Sequence, residues 1–114
     1  MILVVIFSAV LALSSAVYPD TYNHFDADTK YSDAQYLCEA VDCFIDRKPC
    51  DTEHTFFKRH FQNAYNTACA DCNPALRHII RVFFANAIDY CLNLPQLVLK
   101  YDPNRTLTIP LINA

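Results

Sequence analysis

Residues 51–68 read DTEHTFFKRHFQNAYNTA, and this stretch decides the fold. Phe56, Phe57, Phe61, Ala64, Tyr65 and Ala68 recur at steps of three and four, with Lys58, Arg59, Gln62, Asn63 and Asn66 opposite them. That period puts the apolar side chains on one stripe of an α-helix, which Asp51 or Thr52 can cap. A second helix follows. Asn73 suits its N-cap and Pro74 its first position, where proline's missing N–H has no helical partner to lose. From there Leu76, Ile79, Ile80, Phe83, Phe84, Ala87, Ile88 and Cys91 share one broad face. These two helices supply most of the core.

Outward from them, residues 33–44 carry Tyr36, Leu37, Val41 and Phe44 at helical spacing, and shorter helices fit residues 23–31 and 94–101. Asp102-Pro103-Asn104 reads as a turn. The chain of 114 residues contains no glycine. This removes the residue that primed hairpin turns, phosphate-cradling loops and calcium loops require, and points to helices joined by Asn, Asp and Pro. The expected fold is all-α: one small domain of about six amphipathic helices around a hydrophobic cavity, stapled by disulfides. No repeat or linker interrupts it.

Residues 1–16 have no charged side chain, run Ile2-Leu3-Val4-Val5-Ile6-Phe7 and close on Ser14-Ser15-Ala16. They read as a signal peptide, too short to span a bilayer, with the mature domain over residues 17–114 starting at Val17. The product is expected to be secreted and extracellular, without a membrane span after cleavage and acting as a monomer. A net charge of -3 is small and of the wrong sign for nucleic acid or an anionic membrane surface.

Cys38, Cys43, Cys50, Cys69, Cys72 and Cys91 then read as three disulfides, for which arithmetic leaves fifteen pairings. Cys69-Ala70-Asp71-Cys72 has the C-x-x-C form of a redox motif, but no strand-helix-strand pattern surrounds it. A zinc site from Cys69, Cys72 and His78 lacks a fourth ligand at a usual spacing, so no metal and no cofactor is expected. His24, His54, His60 and His78 form no H-E-x-x-H, and a nucleophile elbow cannot exist without glycine. The histidines read as surface or capping residues, Asp102 as a turn former, and the chain as no enzyme.

The spacing C-x6-C-x18-C-x2-C from Cys43 to Cys72, together with Lys100-Tyr101-Asp102-Pro103, resembles the insect chemosensory proteins of the OS-D-like type, small secreted carriers of apolar ligands. The likeness runs from Tyr22 to Pro103 and includes Glu53, Lys58 and Ala64. The intervals of 4, 6, 18, 2 and 18 do not suit the insect odorant-binding class, which is also helical with six cysteines. The resemblance implies bridges Cys43–Cys50 and Cys69–Cys72. Cys38 and Cys91 depart from the four-cysteine pattern: one lies on the helix before Cys43 and the other near the end of the Asn73 helix, and they read as a third bridge, with two buried free thiols as the alternative.

What the resemblance implies for function is a hydrophobic channel for fatty acids, long-chain alcohols, esters and other semiochemicals. Its expected ligand-binding residues are Tyr22, Leu37, Val41, Phe44, Phe57, Phe61, Ile80, Phe84, Leu94, Leu97 and Tyr101. Phe57 and Phe61 stand where the family usually has leucines and should narrow the channel. Ala40, in place of a common tyrosine, and Leu94, in place of a frequent tryptophan, should open it elsewhere, and His54 replaces a glycine. A slim aliphatic or planar aromatic ligand is expected, oriented by a tyrosine hydroxyl. The apolar tail, residues 105–114, is either a lid over the cavity mouth or a loose terminus, and Asn104-Arg105-Thr106 is a glycosylation sequon. A second reading keeps the chain as a secreted interaction protein whose eight phenylalanines fill its own core and whose partner is a receptor or other protein.

Overall fold

The computed structural model describes residues 24–114; the signal-peptide reading, Val17 and Tyr22 lie outside them. The described residues form six helices and no strand: α1 (Ala27–Lys30), α2 (Ala34–Phe44), α3 (Thr52–Thr67), α4 (Pro74–Tyr90), α5 (Leu94–Tyr101) and α6 (Thr108–Ile112). Each of the first four starts on a side-chain cap. Asp26 accepts from Thr29 N, Asp33 from Gln35 N and Tyr36 N, Asp51 from His54 N, and Asn73 from Leu76 N. These bonds satisfy backbone donors that a helix start leaves without a partner. Asp51, not Thr52, is therefore the cap of α3.

Without glycine, four other residues take left-handed backbone: Asp46, Ala68, Cys69 and Arg105, with φ of 64, 51, 62 and 59°. Such a conformation costs about 1–2 kcal/mol for a residue with a Cβ, so neighbouring contacts must hold it. Ala68 and Cys69 end α3, where Cys69 N donates to Ala64 O at 2.9 Å and the Cys69–Cys72 bridge closes the turn. Asp46 is gripped by Lys58 and by Lys100 at 2.5 Å, and Lys100 then Lys58 hold its carboxyl down at about 2.

All six cysteines are paired as Cys38–Cys91, Cys43–Cys50 and Cys69–Cys72, with Cα–Cα distances of 5.3, 5.1 and 4.9 Å. The two local bridges clamp the α2–α3 and α3–α4 connections. Cys38–Cys91 ties the middle of α2 to the end of α4 across 53 positions.

The core is aromatic. Phe61 stacks on Phe44 at 4.8 Å and meets Tyr101 edge-on at 4.8 Å; Phe84 and Tyr65 continue the layer, and Phe83 stands edge-on to Phe84 at 5.3 Å. Such offset and T-shaped pairs are the favourable geometries for rings carrying a quadrupole. Ile88 departs from the expected core face and is 64 % exposed. It sits about 40° around the helix beyond Phe84, outside the arc that runs from Ile79 to Phe84.

His54 differs from its reading in the sequence, and Asp102 adds a buried cap to the turn expected of it, whose Arg105 N donates to Asp102 O at 3.0 Å. His54 is 2 % exposed, because its position in the first turn of α3 brings Nδ1 to 2.8 Å from Asp51 while Nε2 reaches the Tyr31 hydroxyl at 2.9 Å. Asp102 is fully buried and works as a cap: its carboxylate accepts from Thr106 N, Leu107 N, Thr108 N and Thr108 Oγ1 at 2.8–3.0 Å. Those bonds organise the tail as α6, which packs on α3 and α4 with Leu111 1 % exposed. The tail is thus an ordered part of the core.

Candidate functional site: an aromatic cleft

One face of α3 and the facing side of α4 leave a cleft between them. From α3 it is lined by Phe56, Phe57, His60, Phe61 and Ala64, from α4 by Leu76, Ile79, Ile80 and Phe83, and at its inner end by Tyr31 and Phe44. This follows from spacing: each helix repeats an apolar position every three or four residues, so each presents a continuous wall. Phe56, His60 and Leu76 are half-buried and form the rim, whereas Phe57, Phe61, Ile79, Ile80 and Phe83 are buried. The residual void is about 30 Å³. Each water needs about 10–15 Å³ of such volume, so a longer guest enters only by displacing side chains.

The polar groups near the inner end are already committed. Tyr31, His54 and Asp51 form a chain of hydrogen bonds behind Phe44 and Phe57, whose rings lie 5.8 and 5.9 Å from the His54 ring. Burial holds the His54 pKa below the usual histidine value despite the opposing pull of Asp51. Burial also keeps the Tyr31 hydroxyl protonated, well above its ordinary value. At the rim, the His60 ring lies 4.8 Å from that of Phe56, and burial followed by the Arg59 charge lowers its pKa. Among the described residues no cluster of His, Cys, Asp or Glu is placed to hold a metal ion, and no helix is long and apolar enough to cross a membrane.

Of the residues singled out from the sequence, Phe44, Phe57, Phe61 and Ile80 line this cleft. Leu37, Val41, Phe84 and Leu97 are buried in the packed interior, outside its walls. Tyr101 is a structural group. Its hydroxyl donates to Phe44 O at 2.9 Å, beside Lys100 Nζ at 3.0 Å on the same carbonyl, and burial pushes its pKa up to about 12. Phe56, Leu76, Ile79 and Phe83 join the cleft through the same helical stripes, while Tyr31 and His60 carried no signal in the sequence. No residue of α6 lines the cleft.

A second depression lies at the far end of α4 and along α5. This shallow groove of about 540 Å³ is lined by Ile88, Cys91, Leu92, Leu94, Pro95, Val98 and Arg105. Leu92 is 96 % exposed there. Asn104 is exposed in the turn between α5 and α6.

The model of the insect pheromone-binding family, A10/OS-D, matches residues 18–108. No curated protein and no solved structure matches the chain. The match takes in all three disulfides, the whole of the cleft and the Lys100-Tyr101-Asp102-Pro103 segment that ties α5 to α2 and α6, and the chain belongs to the insect pheromone-binding family A10/OS-D.

Proposed function

We propose that the protein is a secreted carrier of small hydrophobic ligands, of the class of fatty acids, long-chain alcohols, esters and other semiochemicals. The observation that carries this reading is the cleft between α3 and α4: nine of its eleven lining residues are purely apolar, and its rim reaches the surface. Transfer of an alkyl chain into such a site gains about 25 cal/mol for each Å² of apolar surface removed from water. Against this stands the work of moving rings that almost fill the space. A slim or flat ligand asks for the least movement, so the narrow site fits the preference for slim aliphatic or planar aromatic molecules. No chemical step is needed, since carriage requires only binding and release.

The test is displacement of an apolar fluorescent probe from the oxidised protein by acids, alcohols and esters of twelve to eighteen carbons. Saturable micromolar displacement supports the carrier; absence of probe uptake overturns it. The chain has no tryptophan, so probe emission is read without indole interference.

One observation favours a second reading, an interaction protein acting through a protein partner. Ile88 and Leu92 stand out of the surface groove at 64 and 96 % exposure, as a protein contact would require. A pull-down lost on Leu92→Asp, with probe binding unchanged, would support it. We also infer that Asn104 accepts a glycan in a secretory host, read as a mass shift on glycosidase treatment.

A further inference from the structure

We propose that Tyr31 anchors the polar head of the cleft's ligand and that protonation of His54 frees it to do so, so that ligands bearing a hydroxyl or carbonyl oxygen bind more tightly as pH falls. The proposal rests on the reading of the α3–α4 cleft as the ligand site.

Tyr31 lines the inner end of the cleft and is 1 % exposed. Its hydroxyl lies 2.9 Å from His54 Nε2, and His54 Nδ1 lies 2.8 Å from the Asp51 carboxylate. A carboxylate can only accept, so Nδ1 carries the proton of the neutral ring. Nε2 is then the acceptor, and the Tyr31 O–H is spent on it. A further proton goes to Nε2. Both ring nitrogens now donate, Nδ1 still to Asp51 and Nε2 to the Tyr31 oxygen, and the Tyr31 O–H has to turn away. Among the described residues that hydroxyl has no second hydrogen-bond partner. A buried donor left unpaired is costly. An oxygen-bearing head that reaches the inner end, with its chain running out along Phe61 and Ile80, supplies the missing acceptor.

The groups around His54 set where this happens. Burial is the largest influence and favours the neutral ring; Asp51 and Glu53, at the start of α3, pull towards the charged form, and Lys30, at the end of α1, sides with burial. From α2 the rings of Tyr36 and Phe44 face it at 5.4 and 5.8 Å. The Tyr36 hydroxyl brings no charge, because burial, then Asp51 and Glu53, push its pKa up to about 12. His54 is therefore neutral at neutral pH and charges on the acid side. By linkage, a ligand that binds the charged form better raises the His54 pKa by the same factor.

The test follows the His54 ring resonances of the isotopically labelled, oxidised protein through their acid titration, alone and saturated with dodecanol, methyl dodecanoate or 1-chlorododecane. One neutral hydrogen bond is worth about fivefold in affinity, so the alcohol and the ester are expected to raise the His54 midpoint by about 0.7 pH unit, and the chloroalkane not to raise it. Tyr31→Phe keeps the ring and removes the hydroxyl, and in it the alcohol should act no differently from the chloroalkane. A native midpoint lowered or unmoved by the alcohol, a midpoint raised equally by alcohol and chloroalkane, or a shift that persists in Tyr31→Phe overturns the proposal while leaving the carrier intact. The first two comparisons need only the native protein, so they decide the matter even where Tyr31→Phe does not fold. Failure of the native protein to take up any apolar probe overturns both.

Discussion

Phe61 belongs at once to the core and to the wall of the cleft, so Phe61→Ala separates the two roles by magnitude. The ring is 5 % exposed, stacked 4.8 Å from Phe44 and edge-on 4.8 Å from Tyr101. Truncation removes roughly 100 Å² of buried apolar surface, worth about 2.5 kcal/mol. The two closest ring pairings add about 1–1.5 kcal/mol. The sum, near 4 kcal/mol, falls in the usual range of about 3–5 kcal/mol for a buried phenylalanine. The vacated space adjoins the existing void of about 30 Å³. An apolar cavity of about 150 Å³ stays dry and takes up benzene. Urea unfolding of the oxidised proteins should give the loss in stability, and saturating benzene should raise the melting temperature of Phe61→Ala by more than that of the native protein. A loss below about 1 kcal/mol, or no response to benzene, would refute the placement of Phe61 at the boundary of core and cleft.

Removing Cys38–Cys91 by double alanine substitution should cost about 4 kcal/mol by loop entropy, against about 2 kcal/mol for Cys69–Cys72, because the bridges span 53 and 3 positions; denaturant titration of both variants gives the order. His54 has a folded pKa below 6.5, so its contribution is complete above that value and is lost as pH falls through it; the urea midpoint should drop between pH 7.5 and 5, and His54→Asn should shrink the drop. For Asp102, burial raises the pKa, but the bonds from Thr108, Leu107 and Thr106 outweigh it and leave the carboxyl below 3.8; its contribution is present above that value and vanishes as pH falls further. Asp102→Asn should therefore speed amide exchange at Thr106, Leu107 and Thr108 at neutral pH, and unchanged protection would remove its capping role.

The two long helices were legible in the sequence because their cores repeat at helical spacing: residues 51–68 became Thr52–Thr67, and the Asn73-Pro74 start was found as the cap and first turn of α4. The bridges could be placed because the local pairs match a family pattern and leave two cysteines on facing helices. The burial of His54 was not legible. It depends on Tyr31, 23 positions away, supplying the partner that makes an interior imidazole tolerable. Asp102 escaped for a similar reason. A proline after an aspartate reads as a turn, whereas the donors that bury its carboxylate lie four to six residues downstream in an apolar tail. The cleft was only half legible: helical stripes identify apolar faces, but which of Phe57, Phe61, Phe83 and Phe84 borders a void depends on how α3 and α4 are rotated against each other.

The position of the ligand is the most direct question. Titrating dodecanol into the isotopically labelled oxidised protein and following isoleucine methyl resonances separates the two apolar surfaces, since Ile79 and Ile80 line the cleft and Ile88 lines the outer groove. A carrier that uses the α3–α4 cleft will show saturable shifts at Ile79 and Ile80 with Ile88 unmoved; shifts at Ile88 alone would contradict it.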